Sequence, residues 1–426
     1  MPVIDQPTLE VAIIGGGLTG SICALLLARQ GLRVAVVDPF EIYPSDFRCE
    51  KLTNGQIERA RTLGIDAPLL GAATPVTETI VARGGRPVDL RAVNEGCQRY
   101  NTMVNAVRAA WPASIAFHKG RADDIAATPN LQAVTLTSGV QLSARLVILA
   151  TGPGEKLRAR LALTRRIFRD NHSICIGFDL VDGTGGPLSN RALTYYGERA
   201  GDGVAFVTVF PFGDRTRCNL FCYLDPASPP IKAVRSNPLV GLNALFPGLI
   251  SVLGRDVRVE GRPEIRVTDL YEIDEPERDG VVLAGEAFRP SCPVTGTGVT
   301  RVLNDTARLC EVHIPRWLET HGMSAAKIAS FYTDPAKCAV DHASALDAEN
   351  QRHFALDRSL ETRARRVLAL AKSQLHFAGL MKPRSALSLH PVPTAPRRYS
   401  AAAGLLETPV AAGRGLPRIA NPRMTV

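Results

Sequence analysis

Three glycines near the N-terminus have the spacing of a loop that binds phosphate groups. Gly15, Gly17 and Gly20 form G-x-G-x-x-G directly after the apolar segment VAII. In such a loop the first glycine permits a tight turn, the second lets the backbone approach a pyrophosphate, and the third lets a helix pack on a strand. The following helix, with Leu18 and Thr19 in its first turn, would present free N–H groups to the phosphates. The pattern therefore predicts dinucleotide binding.

An acidic residue supports this interpretation. Residues 9–38 consist of an apolar run, the glycine cluster, a helical stretch and a second apolar run that ends at Asp38, which predicts a βαβ unit. The Asp38 carboxylate could accept hydrogen bonds from both ribose hydroxyls of an adenosine, and it would repel a 2′-phosphate, which argues against NADP at this loop. The loop and Asp38 alone fit NAD nearly as well as FAD.

Later segments favour FAD, which must be held along its whole length. Residues 281–307, VVLAGEAFRPSCPVTGTGVTRVLNDTA, resemble the second FAD motif of aromatic-hydroxylase flavoproteins, with Glu286 where that group has aspartate. The matching positions are Gly285, Pro290, Pro293, Gly296 and Gly298. The resemblance implies that Glu286 binds the ribityl hydroxyls or lies beside the phosphates, and that Pro293 touches the flavin. The N–H groups of Thr297 and Gly298 would face its pyrimidine edge, where a helix N-terminus stabilises negative charge.

Two other stretches resemble the same group. FRCEKLTNGQIERARTLGI places Arg48 where an arginine contacts FAD, and RLVILATGPGEKLRARLAL keeps Gly152 and Arg158 but has Thr151 where the group has aspartate. Arg99 resembles an arginine before a helix that runs along the FAD, although a surface arginine at a helix start fits equally well. These motifs occur in the family's order. The chain is thus identified as similar to FAD-dependent monooxygenases of the para-hydroxybenzoate hydroxylase type.

The resemblance and the segment pattern together predict an α/β fold, in which an antiparallel β-sheet substrate domain interrupts a Rossmann-type FAD-binding domain and a helical region follows. The expected divisions are residues 1–170 and 276–325 for the FAD-binding domain, 171–275 for the substrate domain, 326–380 for the C-terminal helices and 381–426 for a disordered tail.

The resemblance also implies an activity. Reduced FAD would react with O₂, and a flavin hydroperoxide would insert one oxygen atom into a small organic substrate, apolar or aromatic. Because Thr151 removes a charge, the electrons could come from NAD(P)H or from a separate flavin reductase. The alternatives are a reductase that saturates a prenyl double bond, a flavin-dependent halogenase, and a non-catalytic flavoprotein. The halogenase is disfavoured because neither Trp111 nor Trp317 lies in a W-x-W-x-I-P segment.

The substrate cavity should lie between the nucleotide-binding domain and the sheet of residues 172–225. Aromatic candidates for its wall are Phe178, Tyr195, Tyr196, Phe206, Phe210 and Phe212, although aromatics at strand spacing are more often core. No catalytic acid or base is evident. His172 begins the sheet, but a lone histidine is more often structural than catalytic.

Composition excludes several classes. The net charge of +9 comes with few basic runs, and the excess in the last 45 residues indicates a solvated tail rather than a nucleic-acid-binding surface. The nine cysteines are too scattered for a disulfide scaffold, and no histidine pair has metal-ligand spacing, so we expect reduced cysteines and no metal. Without an apolar run of about 18 residues or a signal peptide, no membrane span and a cytoplasmic location are expected.

Overall fold

A computed structural model describes residues 9–254 and 256–377 of the chain. Its strands are β1 Leu9–Ile14, β2 Val34–Asp38, β3 Cys49–Leu52, β4 Thr74–Arg83, β5 Arg86–Arg99, β6 Ala116–Lys119, β7 Ala122–Ala127, β8 Gln132–Leu136, β9 Gln141–Leu149, β10 Arg165–Val181, β11 Ala192–Tyr196, β12 Val204–Phe212, β13 Arg215–Cys222, β14 Arg258–Ile273 and β15 Val281–Leu283. The predicted tail and its basic residues lie outside the described part of the chain.

The helices of the described residues connect and cover these strands. They are α1 Leu18–Arg29, α2 Asn54–Thr62, α3 Asp66–Leu70, α4 Tyr100–Ala109, α5 Lys156–Arg160, α6 Pro229–Ser236, α7 Pro238–Leu245, α8 Leu249–Leu253, α9 Gly298–Ala307, α10 Ile314–Leu318, α11 Ala325–Tyr332, α12 Pro335–Leu356 and α13 Leu360–Phe377. A π-helical turn joins α9 to α10. No helix here is long and apolar enough to cross a membrane.

The first sheet has the order β6-β2-β1-β9-β8-β7, and β15 also pairs with β9. β1, β2, β6, β9 and β15 run parallel, so β1, β9 and β15 end side by side, with Ile14 opposite Leu149 and Leu149 opposite Leu283. β1, β2 and β15 are nearly all apolar because both faces of the parallel sheet are covered there, whereas β6 at the edge of the sheet carries His118 and Lys119. The predicted βαβ unit is confirmed, and Asp38 is the last residue of β2.

The second sheet has the order β14-β10-β13-β12-β11-β4-β5-β3 and is antiparallel except for the β11–β4 pair. One face carries Ile174, Ile176 and Phe178 and packs against α6, α7 and α8. Since strand residues alternate between faces, Ser173, Cys175 and Asp179 of β10 lie on the other face. The predicted α/β fold with an antiparallel sheet and C-terminal helices is confirmed.

This sheet draws on more of the chain than expected. Strands β3, β4 and β5 come from residues 49–99, within the segment 1–170 that the sequence suggested for FAD binding alone. The hairpin β4–β5 joins the sheet through β11, with Thr79 opposite Ala192. A pairing between residues so far apart in sequence leaves no local signal, so the sequence pattern of the hairpin cannot show which sheet it joins.

A buried network of charges ties α9 to α12. Arg301 Nε lies 2.7 Å from Asp341 Oδ1, while Lys337 Nζ lies 2.8 Å from Asp341 Oδ2 and 3.2 Å from Asp305 Oδ1. The Lys337 side chain is only 1% exposed. Removal of the Lys337 side chain would leave the buried carboxylates of Asp305 and Asp341 with one cation, Arg301. The helices are also joined by a contact between Ser344 of α12 and Thr297 at the start of α9.

We therefore expect Lys337→Met to lower the free energy of unfolding by about 3–5 kcal/mol, since an uncompensated buried charge is costly. Lys156→Met, which breaks the exposed pair with Asp123, is the matched control and should cost about 1 kcal/mol or less. Denaturant unfolding followed by circular dichroism measures both changes. Equal effects of the two substitutions would contradict a structural role of the network.

Candidate functional site

The glycine loop between β1 and α1 depends on close backbone contacts. Gly15 has φ +103°, and a Cβ atom there would lie 2.5 Å from the Ala150 carbonyl oxygen. A Cβ on Gly20 would overlap the Gly15 carbonyl oxygen. Gly17 differs, because its φ of −67° suits any residue and the nearest atom to a Cβ would be the Tyr100 hydroxyl, 3.7 Å away. The close backbone contacts within the protein therefore require Gly15 and Gly20. Gly17 makes no such contact, and its lack of a side chain leaves the outer side of the loop open.

The Asp38 carboxylate already stabilises this loop. Its Oδ2 accepts a hydrogen bond from the Gly16 N–H at 2.7 Å, and its Oδ1 accepts one from the Phe40 N–H at 2.9 Å. Buried Arg108 donates to the carbonyls of Gly16, Phe40 and Glu41 and lies 3.4 Å from Asp38 Oδ1. Each carboxylate oxygen can accept a further hydrogen bond, so Asp38 could still bind the ribose hydroxyls, and this contact stays a prediction. Sequence reasoning missed Arg108, since an arginine in the last turn of a helix is ordinarily solvated.

The first turn of α4 faces the start of α1. The Tyr100 hydroxyl accepts a hydrogen bond from the Leu18 N–H at 3.2 Å, and burial raises the pKa of Tyr100 to about 12, so its O–H remains available as a donor. Arg48 stacks 3.6 Å from the Tyr100 ring and binds Asp46 through Nε and Nη2, while its Nη1 donates to no described residue. These are donors that a pyrophosphate beside Leu18 would need.

An unpaired oxygen lies next to them in sequence. Asn101 Oδ1 is buried and has no hydrogen-bond partner among the described residues, although buried polar groups are nearly always paired. A bound ligand would supply the missing donor. The only sequence signal for Tyr100 and Asn101 was a weak one, their position directly after Arg99.

Two further glycine turns converge on the loop. Gly152 follows β9 with φ +63°, and Gly285 follows β15 with φ +62°. A Cβ on Gly285 would lie 2.5 Å from Thr19 Oγ1, so this turn packs directly on α1. Buried Arg158 donates to the carbonyls of Gly152 and Ala287 at 3.2 and 3.1 Å and thereby joins both turns.

Glu286 lies between the turns and the second sheet. Its Oε2 would be 4.0 Å from a Cβ on Gly152 and accepts a hydrogen bond from Arg266 Nη2 at 2.9 Å. Arg266 belongs to β14, opposite Cys175 of β10. Glu286 thus lies beside the Gly152 turn and forms an ion pair with the second sheet, neither of which the sequence indicated. Its contact with FAD stays a prediction.

The predicted helix start at residues 296–298 is present. Pro293 begins a short turn, Gly296 has φ +66° with open space around it, and α9 begins at Gly298 after Thr297. Gln56, which the sequence did not indicate, donates from Nε2 to the Gly296 carbonyl at 3.2 Å. The space beside Gly296, directly before this helix, is therefore open.

Arg99 is placed differently from Arg48. It precedes α4, and its Nη2 binds Asp179, whose other carboxylate oxygen accepts a bond from Arg217 Nη1 at 2.8 Å. Arg217 also donates to the Phe47 carbonyl and to Asn219. Arg99 thus ties β5 to β10 across the site-facing side of the second sheet. Its predicted contact with FAD stays a prediction.

The aromatic candidates divide between the two faces of the sheet. Tyr195 and Phe178 are fully buried beneath α6–α8, so the structure contradicts Tyr195 as a pocket residue; it belongs to the other face by strand alternation. Phe206 lies on the site-facing side and packs with Cys292 and Val294, on either side of Pro293. Phe210 and Phe212 pack instead with Cys49 and Cys97, and Tyr196 stacks on Phe206.

His172 lies near the same turn. It is fully buried, both ring nitrogens lack partners among the described residues, and its ring stands 5.5 Å from that of Tyr223. Burial, with Arg352 and Arg169 nearby, lowers the His172 pKa to about 4, so the ring is neutral. No group of three or more metal-ligating side chains occurs in the described ranges, and all nine cysteines are free.

These residues fit FAD. The outer side of the glycine loop is open at Gly17, and there is open space beside Gly296. Arg48 Nη1 and the Tyr100 O–H have no acceptor among the described residues, and Asn101 Oδ1 has no donor. The loop follows β1, which ends beside β9 and β15. Strand ends of a parallel sheet are where dinucleotides bind.

Comparisons with known proteins agree. A family model described as "FAD binding domain" matches residues 8–312. Ubiquinone hydroxylase UbiL of Rhodospirillum rubrum is 28% identical over 164 residues, which is 35% of this chain; the match spans only 38% of that relative. 

Solved structures share the fold. p-Nitrophenol 4-monooxygenase PnpA of Pseudomonas putida superposes with a TM-score of 0.69 at 16% identity, over 89% of this chain and all of its own. HpxO of Klebsiella pneumoniae, solved with FAD and uric acid, superposes with a TM-score of 0.66 at 16% identity, over 87% of this chain and 94% of its own. Flavin-dependent halogenases have the same fold.

Gly17→Ala tests where the pyrophosphate lies. The substitution should leave the apoprotein folded, because φ is ordinary and no protein atom obstructs a Cβ, but it should weaken FAD binding at least ~10-fold by blocking the loop's outer side. Fluorescence titration with FAD and thermal unfolding of the apoprotein measure the two effects. Gly55→Ala, at an open position of α2, is the control. Unchanged FAD affinity in Gly17→Ala would contradict this placement.

Proposed function

Because the chain belongs to the FAD binding domain family and is a para-hydroxybenzoate-hydroxylase-type FAD-dependent oxidoreductase, we propose that it is a monooxygenase that inserts one oxygen atom from O₂ into a small aromatic substrate. When bound, reduced FAD supplies the oxygen-activating chemistry. The protein would bind the cofactor, orient the substrate and exclude water.

One observation carries this proposal: the second sheet presents a mixed aromatic and polar face beside the Pro293 turn. Phe206 stacks on Phe221 at 5.1 Å between ring centroids and packs with Cys292 and Val294. We expect the ring of the substrate to pack against this aromatic face, next to the proposed position of the flavin ring.

The same face carries polar groups further along. Arg217, Asn219 and Asp179 are buried and hydrogen-bonded to one another. They extend the site beyond the apolar wall that sequence reasoning emphasised. A substrate with both a ring and a polar substituent therefore matches the face better than a purely hydrocarbon chain, which weighs against prenyl reduction.

The activity can be tested with isotopic oxygen. The holoenzyme, reduced chemically, is mixed with ¹⁸O₂ and a set of phenols, anilines and prenyl lipids, and the products are analysed by mass spectrometry. We expect one heavy oxygen atom in an aromatic product. Product formed without O₂ would instead support a reductase, product formed only with added bromide or chloride would support a halogenase, and no product would contradict monooxygenation.

The electron donor is a separate question. Thr151 is uncharged where the resembling family has aspartate, so we propose that reduction comes from NAD(P)H or from a separate flavin reductase. Stopped-flow absorbance under anaerobic conditions distinguishes these sources. Rapid bleaching of the bound FAD by NADPH or NADH alone would exclude the need for a reductase, and bleaching only after a reductase and free flavin are added would establish it.

A further inference from the structure

Glu50 is a carboxylate that has no partner among the described residues. It lies on β3, opposite Gln98 of β5, and no described residue donates a hydrogen bond to its carboxylate or forms an ion pair with it. It remains only partly buried. Most buried or half-buried acids in this protein are paired, as Asp38, Asp179 and Glu286 are.

The strand sets the direction of Glu50. Its neighbour Cys49 points to the cluster with Phe210 and Phe212, so Glu50 points to the opposite side of β3. On that side Leu52, two residues later, packs into the core that contains the α1 helix. Glu50 therefore faces the cofactor-binding half of the molecule.

Charged groups on several neighbouring segments interact electrostatically with Glu50. Arg48 and Asp46 precede β3, Glu286 comes from the turn after β15, and Arg266 comes from β14; the Cys175 thiol of β10 also lies within its electrostatic reach. The first three border the expected FAD site, and the last two belong to the second sheet. Glu50 thus lies at the boundary between cofactor and substrate.

This environment suits proton exchange. Burial raises the pKa of Glu50, with Asp46 and Glu286 acting in the same direction and Arg48 and Arg266 opposing them. A carboxylate with a raised pKa is a better proton acceptor near neutral pH than an ordinary one. Glu50 also makes no hydrogen bond or ion pair with a described residue that would have to break before a substrate binds.

We infer that Glu50 is the catalytic base of this site and that the substrate carries an acidic O–H group, as in a phenol. The O–H bond breaks, its proton moves to a Glu50 carboxylate oxygen, and the electron pair stays on the substrate oxygen. The ring thereby becomes more electron-rich for oxygen insertion, and the proton later returns to solvent. This inference rests on the proposed monooxygenase function.

The test compares the wild-type holoenzyme with Glu50→Gln, which keeps shape but cannot accept the proton, and with Glu58→Gln, an exposed α2 control paired only with Arg61. The first measurement needs no substrate: the flavin absorbance is titrated with pH. Wild type and Glu58→Gln should show an inflection above the ordinary glutamate range, and Glu50→Gln should lose it. An inflection that persists in Glu50→Gln would overturn the inference.

The second measurement is the pH profile of kcat for a phenol and for a nitrophenol that is already ionised. Glu50→Gln should lower kcat for the phenol about 100-fold or more and abolish the acidic limb of its profile, but it should change the ionised substrate little. Equal losses on both would overturn a role as base. If the wild type oxidised neither compound but the absorbance inflection still depended on Glu50, the proposed monooxygenase function would be contradicted. The position of Glu50 beside the flavin would still be supported.

Discussion

The close approach of three glycine turns is the constraint on which the rest of the site depends. Strands β1, β9 and β15 run parallel and end together, and the chain after each must turn within a few ångströms of the others. Gly15 passes against Ala150, Gly20 against Gly15, and Gly285 against Thr19, in each case with no room for a Cβ atom. The resulting edge leaves the outer side of the loop open at Gly17, with the Tyr100 hydroxyl as its nearest neighbour, and a pyrophosphate requires such room next to a helix N-terminus.

Buried arginines complete this edge by satisfying backbone carbonyls that the turns leave unpaired. Arg108 binds the loop after β1, and Arg158 binds the turns after β9 and β15. Arg48 differs because its Nη1 donates to no described residue. The protein thus separates arginines that hold its own backbone from one that can meet the cofactor. The second sheet is joined to the turn after β15 through the pair of Arg266 with Glu286.

The sequence predicted those parts of the fold and site that are local in the chain. The βαβ unit, Asp38 at the end of β2 and the helix start at Gly298 follow from spacing, because each signal lies within a few residues. The face on which Tyr195 lies could not be predicted, since a strand buried on both sides shows no alternation of polar and apolar residues. Arg108 was missed because its contacts are with residues distant in sequence, and Glu50 because Glu286 and Arg266 approach it only in the folded protein.

The central claim is that FAD binds along this edge with its ring between β3 and the Pro293 turn, facing the second sheet. A crystal structure of the holoenzyme tests it most directly. The account predicts pyrophosphate oxygens at the Leu18 amide near Gly17, and the isoalloxazine ring within contact of Pro293 and of the Glu50 side chain. A ring directed into solvent, or phosphates away from the glycine loop, would contradict it.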